Sequence, residues 1–254
     1  MSIFTIIVGA SLLATPAWAN PTAGAIPTME QRTEAFAEVT AAMESGNQSA
    51  AADGLVAIAE SEEWTMFHAE AYARLAVLLN KLELPYSALI AYSKALALDP
   101  AGVGSEAGKA VDLADKVGDQ AILEPVFAGN IGLDVDDATR SRMAYLAARE
   151  NHRKGNLAVA GAMLKMVKPN DPYYPEAKAL EGVLLSLQDQ HGNALAPLPI
   201  ALATGDRAQR GEVFKATVTL NLARAYYAAG NFGQAAHYWS EIEREDPKWL
   251  DAQF

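Results

Sequence analysis

The chain has 254 residues, half of them hydrophobic and a fifth charged, with a formal net charge of −11 and no cysteine. That balance fits a folded protein rather than a disordered one, and the missing cysteine excludes disulfides, thiol catalysis and zinc–thiolate sites. Charge is uneven: residues 30–137 hold 19 acids and 6 bases, residues 138–254 hold 12 acids and 14 bases, and so acidic a front half argues against nucleic acid or anionic lipid as partner.

The first twenty residues read MSIFTIIVGASLLATPAWAN. Ile3 to Leu13 is an apolar run too short to span a bilayer, and Ala17-Trp18-Ala19 places small residues two apart, as at a cleavage site. Residues 1–19 are therefore expected to be a signal peptide cut after Ala19, which sends the mature chain to the periplasm or outside the cell. No transmembrane anchor is expected after cleavage. The same run also fits an uncleaved interfacial anchor. Residues 20–29, which include NPTAGAIPT, read as a flexible leader.

From residue 30 the sequence repeats itself. Residues 69–100, AEAYARLAVLLNKLELPYSALIAYSKALALDP, carry Tyr72, Leu75-Ala76, Leu79, Ala88, Tyr92, Ala95 and Pro100. Near the C-terminus Leu222-Ala223, Tyr226, Gly230-Asn231, Ala235, Trp239 and Pro247 recur at similar spacing, and between them stand Ala147-Ala148, Gly155-Asn156, Ala160, Leu164 and Pro172. Three weaker copies contain Gly46-Asn47, Gly118-Asp119, and Gly182 with Ala194, Leu198 and Ala201. In the last of these the Gly-Asn pair, Gly192-Asn193, sits three residues late. Pro125, Pro197 and Pro199 fall inside second helices, where proline removes a backbone bond and clashes with the preceding turn, so kinked or late-starting helices are expected.

This pattern resembles the tetratricopeptide repeat. The resemblance implies an all-α, right-handed superhelical solenoid of about six antiparallel helix hairpins over residues 30–249. Each hairpin would turn at a left-handed glycine and bury its apolar face only by stacking. Trp249, Leu250 and Phe254 then read as a cap over the final hairpin, with residues 250–254 as the capping segment.

No catalytic constellation is visible. The four histidines, His68, His152, His191 and His237, form no paired metal-ligand motif; there is no nucleophile turn and no phosphate loop. DVDD at 134–137 lacks the glycine and distant glutamate of a calcium loop and reads as a solvated turn. No enzyme activity, cofactor or metal is expected.

One local feature stands against the acidic whole: between Arg140 and Lys154 there are five Lys/Arg and one acid, Glu150. On a helix, Arg142, Tyr145, Arg149 and His152 share a stripe, with Arg153 beside it, while Met143, Ala144, Ala147, Ala148 and Asn151 face neighbouring helices. In the last hairpin the matching stripe carries Leu220, Arg224 and Tyr227. By resemblance, these first-helix stripes line a concave groove that takes peptides. A protein or peptide partner offering an acidic or C-terminal segment is the expected ligand, bound at Arg142, Tyr145, Arg149, His152, Arg153, Arg224 and Tyr227. Two other readings stand beside it. The arginines could be a solvated face paired with Glu150 or nearby acids, and the protein could be a structural subunit of an envelope complex that binds through convex or terminal surfaces.

Overall fold

The computed structural model describes residues 26–130 and 132–242. The expected signal peptide, most of the leader and the capping segment lie outside the described residues. The chain divides into two compact units, Met1–Leu98 and Asp99–Phe254.

The first unit contains α1 (Met29–Glu44), α2 (Gln48–Glu60), α3 (His68–Lys81) and α4 (Pro85–Leu98), with a 3-10 turn at Glu62–Phe67 before α3. Thr28 starts α1 with a reciprocal cap: its hydroxyl accepts from the Gln31 amide, and its own N–H donates to Gln31 Oε1. Sequential helices pack on one another, α1 on α2, α2 on α3, α3 on α4. The repeat residues fill these contacts: Ala76, Ala88 and Ala95 have no exposed surface, and Tyr92 is buried beside them. Alanine here lets helix axes approach closely, and the tyrosine fills the remaining space.

The second unit contains α5 (Ala107–Val117), α6 (Glu124–Ala128), α7 (Asp137–Arg153), α8 (Leu157–Leu164), α9 (Tyr174–Leu187), α10 (His191–Ala194), α11 (Pro197–Arg207), α12 (Glu212–Ala228) and α13 (Phe232–Ser240). Alternate members form a row, with α5 against α7, α7 against α9 and α9 against α12. Among the described residues every regular element is helical.

One turn geometry recurs throughout. Gly46, Glu83, Gly118, Gly155, Asp189 and Gly230 each sit at a φ between 57° and 79°. After each, an N–H reaches back five residues: Asn47 to Ala42, Leu84 to Leu79, Asp119 to Ala114, Asn156 to Asn151, Gln190 to Leu185 and Asn231 to Tyr226, at 2.8–3.1 Å. This is the Schellman arrangement, which satisfies carbonyls left open at a helix end. Six such turns separate six pairs of helical segments, as the repeat spacing predicts. The Gly-Asn dipeptide serves both helices, because Asn47 and Asn231 also cap the helices that follow, accepting from Ala50 and Gln234.

The fifth hairpin differs from expectation in one respect. Its left-handed residue is Asp189, so the turn stays in register, and Gly192-Asn193 lie inside α10. Proline acts as expected. Pro197 starts α11 after the four-residue α10, and Pro125 stands in the first turn of the short α6. Ordinary side chains cannot replace Gly182, whose added Cβ would lie 2.4 Å from Leu198 Cγ.

Two glycine substitutions separate the two constraints. Gly182→Ala is expected to cost about 1–3 kcal/mol through overpacking, and Gly155→Ala about 1 kcal/mol through backbone strain alone, since its Cβ would meet nothing within 4 Å. In denaturant melts, Leu198→Ala should couple non-additively with Gly182→Ala and additively with Gly155→Ala.

Candidate functional site

Asp136 opens α7, its carboxylate accepting from the Thr139 amide at 2.9 Å and from the Thr139 hydroxyl at 2.6 Å. These bonds, the hydroxyl's first, hold the Asp136 carboxyl below its ordinary value. DVDD is thus an N-cap segment. From this start the helix turns Met143, Ala144, Ala147, Ala148 and Asn151 inward, and all five are buried. Arg142, Tyr145, Arg149 and His152 fall on the adjoining stripe, facing the row of alternate helices.

Each of the first three meets a partner from elsewhere in the unit. Arg142 Nη1 lies 2.5 Å from Asp112 Oδ1 and 3.9 Å from Asp115 Oδ2, both on α5. Burial pulls the Arg142 pKa down, but Asp112, Asp115 and Asp171 together outweigh it and hold the guanidinium above its ordinary range. The Tyr173 hydroxyl donates to the same Asp115 carboxylate, and the Tyr173 amide donates to Asp171 Oδ1 at 2.8 Å. Burial, then the Asp115 bond, pushes the Tyr173 phenol upward.

Tyr145 is 9 % exposed, with its ring 4.9 Å from that of Tyr173. It is a packed residue rather than an open anchor for a ligand. Arg149 lies over the Tyr145 ring at 5.8 Å, and its Nε is 2.9 Å from Glu124 Oε1 on α6. Glu124 is itself 6 % exposed. Burial raises the Glu124 carboxyl above its ordinary value, and Arg149 then Arg153 offset part of that rise.

Arg153 and Lys154 both converge on Glu150, the Lys154 ammonium at 3.1 Å. Hydrogen bonds from Lys154 and Arg153, the former larger, keep that carboxyl below its ordinary value. His152 is half-buried and closes the stripe. One hairpin further on, Arg210 bridges the Pro172 carbonyl and Glu176 of α9, with Nε 2.6 Å from Glu176 Oε1.

Arg224 and Tyr227 on α12 stand apart from this network. Arg224 is exposed and has no ion-pair partner among the described residues. Tyr227 is 55 % exposed and packs edge-on against Phe232 at 5.2 Å and against Trp239 at 5.6 Å, both on α13. The seven residues of the expected site therefore fall into two sets. Five lie on α7, where Arg142 and Arg149 are occupied by acids of the preceding hairpin and Arg153 by Glu150. Two lie on α12 and remain open.

Two solved structures are similar to the chain. One is the MamA protein, 16 % identical, covering 73 % of this chain and 96 % of its own, with a TM-score of 0.48. The other is a Podosopora anserina putative kinesin light chain with nearly identical TPR-like repeats, 13 % identical, covering 85 % of this chain and 98 % of its own, with a TM-score of 0.34. No protein-family model and no curated protein matches the chain. The repeated helix hairpin stands on the chain's own turns and buried alanines.

Several charged residues of these faces carry no signal in a local reading. Asp112 and Asp115 precede Gly118 by the same intervals that separate Arg149 and His152 from Gly155. Aligning the third hairpin on its turn would have found them. The first unit holds another such cluster: Arg32 of α1 and Arg74 of α3 both grip Glu70, at 2.5 and 2.8 Å, and both lie over the Phe36 ring. Among the described residues no group of three or more His, Asp or Glu could hold a metal, and no helix is long and apolar enough to cross a membrane.

The packing of Tyr145 has a measurable consequence. Burial pushes its phenol up to about 12, so between about pH 10 and 12 the folded state keeps a proton that the unfolded state releases. Stability should fall as pH rises through that window, by an amount on the order of 2 kcal/mol. Chemical denaturation at stepped alkaline pH checks this, and Tyr145→Phe should remove that part of the slope.

Proposed function

We propose that this protein is an exported, non-catalytic repeat scaffold of the bacterial envelope that binds an acidic or C-terminal segment of a partner protein along its first-helix face. The observation that carries the reading is the pairing of Arg224, an exposed guanidinium with no ion-pair partner among the described residues, with the exposed Tyr227 one helical turn away. Arginine presents a planar fork that matches a carboxylate, and a neighbouring aromatic ring supplies apolar area for the residue beside it. Two charge-assisted hydrogen bonds at roughly 1.5–3 kcal/mol each, with one apolar contact, approach the ~8 kcal/mol of a micromolar complex. On α7, Arg142, Arg149, His152 and Arg153 extend the same face, with Tyr145 as the packed floor under Arg149.

Crosslinking in the native envelope identifies the partner, and calorimetry with the mature chain then measures its affinity. Arg224→Ala/Tyr227→Ala should weaken binding about a hundredfold, the equivalent of about 2.7 kcal/mol; Arg224→Ala alone should leave the melting profile unchanged, whereas Tyr227→Ala lowers it modestly by removing the ring contacts with Phe232 and Trp239. Unaltered affinity in a folded double variant would remove the first-helix assignment.

A structural subunit that assembles through its second helices is the other reading. The specific observation behind it is an exposed aliphatic residue on several of those helices: Val56 on α2, Ile90 on α4, Val159 on α8 and Ile200 on α11. That reading predicts a constitutive oligomer in light scattering, insensitive to the Arg224/Tyr227 substitutions and disrupted by Val159→Lys.

A further inference from the structure

Arg149 occupies an unusual position between two environments. Its guanidinium is 40 % exposed, yet the carboxylate it meets belongs to a glutamate with a side chain only 7 % exposed. Glu124 begins α6, directly after the 3-10 turn Gln120–Ile122, and packs against α7. The charged and titratable groups facing it are Arg149, Arg153, Glu150 and Tyr145 from α7, and Asp119 from the turn before α6. Of the two cations, Arg153 bonds Glu150. Arg149 alone has an ion-pair contact with Glu124 among the described residues.

A buried carboxylate with one exposed cationic partner is poorly placed in energy. Removing it from water costs several kcal/mol, and a single contact offsets only part of that. Arg149 in turn cannot give its Nε edge to a second carboxylate while Glu124 lies against it, and the charge of Glu124 offsets that of the guanidinium. We infer that Glu124 is an internal competitor that determines specificity: it occupies Arg149 as a surrogate ligand that a partner's carboxylate must displace. The inference rests on the acidic-segment reading of the first-helix face.

The order of protonation follows from the local chemistry. Burial raises the Glu124 carboxyl, whereas Glu150 on the same helix face is held down by its two cations. As pH falls, Glu124 therefore takes up its proton before Glu150 does. Arg149 is freed while Arg153 and Lys154 stay engaged, and the face gains one positive charge at one position. A partner would then bind more tightly under acid than at neutrality, provided its own carboxylates remain ionised.

The test uses the mature full chain and two readouts. Phenylglyoxal modifies the neutral guanidine, so an arginine whose proton is held by a carboxylate reacts slowly; mass spectrometry gives the rate at Arg149 relative to that at exposed Arg224. Glu124→Gln should raise this ratio about tenfold, which corresponds to losing about 1.4 kcal/mol of ion-pair energy. In the wild type the ratio should also climb as pH is lowered and Glu124 takes up its proton, which keeps the test available if the variant does not fold. A ratio fixed under both changes overturns the inference.

The second readout is calorimetric binding of an acidic octapeptide of alternating Glu and Ala, which should tighten in Glu124→Gln. Equal affinity for wild type and variant, with a raised ratio, also overturns competition. Binding to neither protein, with a raised ratio, sinks the acidic-segment reading while Glu124's hold on Arg149 stands.

Discussion

A residue held at positive φ between two helices fixes where the first helix ends, and so fixes the rotational phase of every side chain counted back from it. Six turns inside the hairpins share that backbone and the same five-residue hydrogen bond, and a seventh, at Gln209 with the Arg210 N–H donating to the Gly205 carbonyl, stands between α11 and α12. Glycine reaches it freely, whereas Glu83 and Asp189 reach it at the cost of about 1–2 kcal/mol for a left-handed non-glycine residue. Because the phase is common, positions at equal distance before each turn fall on equivalent faces. Arg149, Asp112 and Arg224 are equivalent in this sense, and so are His152, Asp115 and Tyr227. The chemistry of the first-helix face follows from which residue type occupies each equivalent position.

In the second unit, neighbouring segments meet through charges of opposite sign. Asp112 and Asp115 on α5 meet Arg142 on α7, Glu124 on α6 meets Arg149, and Glu176 on α9 meets Arg210 ahead of α12. The basic stretch from Arg140 to Lys154 is locally conspicuous, but the stack brings acids of the previous hairpin up to it. Its surplus charge is largely cancelled on the face where it lies. On α12, Arg224 has no ion-pair partner among the described residues. A stretch that looked uniformly basic in one dimension is largely paired in three.

How much of this was legible depends on the range of the interaction. Turns and caps are set by neighbours within six residues, so Gly46-Asn47, Gly118-Asp119, Gly155-Asn156 and Gly230-Asn231 located four hairpins directly. The prolines did the same for the late start of α11 and the shortness of α6. The fifth turn misled because glycine served as its marker. Asp189 adopts the left-handed conformation without glycine, as aspartate does more readily than most residues, and Gly192 is only a helix residue. Charge pairing failed for a different reason. Glu150, the acid in sequence reach, does bind Arg153 and Lys154, but the partner of Arg142 lies 30 residues away, where no local window extends. The burial of Tyr145 was not legible either, since the Tyr173 ring that covers it arrives from the connection to the next hairpin.

Buried ion pairs seldom maximise stability, because desolvation takes back most of what the Coulomb attraction supplies. Their value lies in geometry. An Arg142–Asp112 contact of 2.5 Å, with the Tyr173 hydroxyl on the adjoining Asp115, forms only when α5, α7 and the start of α9 sit in one register. Alanine-rich helices pack adequately in several registers, since their surfaces are smooth and their ridges shallow. Ala144, Ala147 and Ala148 alone would leave α7 free to slide by a turn against its neighbours at modest cost. The charged contacts oppose that freedom, because a one-turn slip strands Glu124 without its cation in a poorly solvated site and separates Asp115 from Arg142 and Tyr173. The same residues that cancel the stripe's charge therefore also fix the row of first helices.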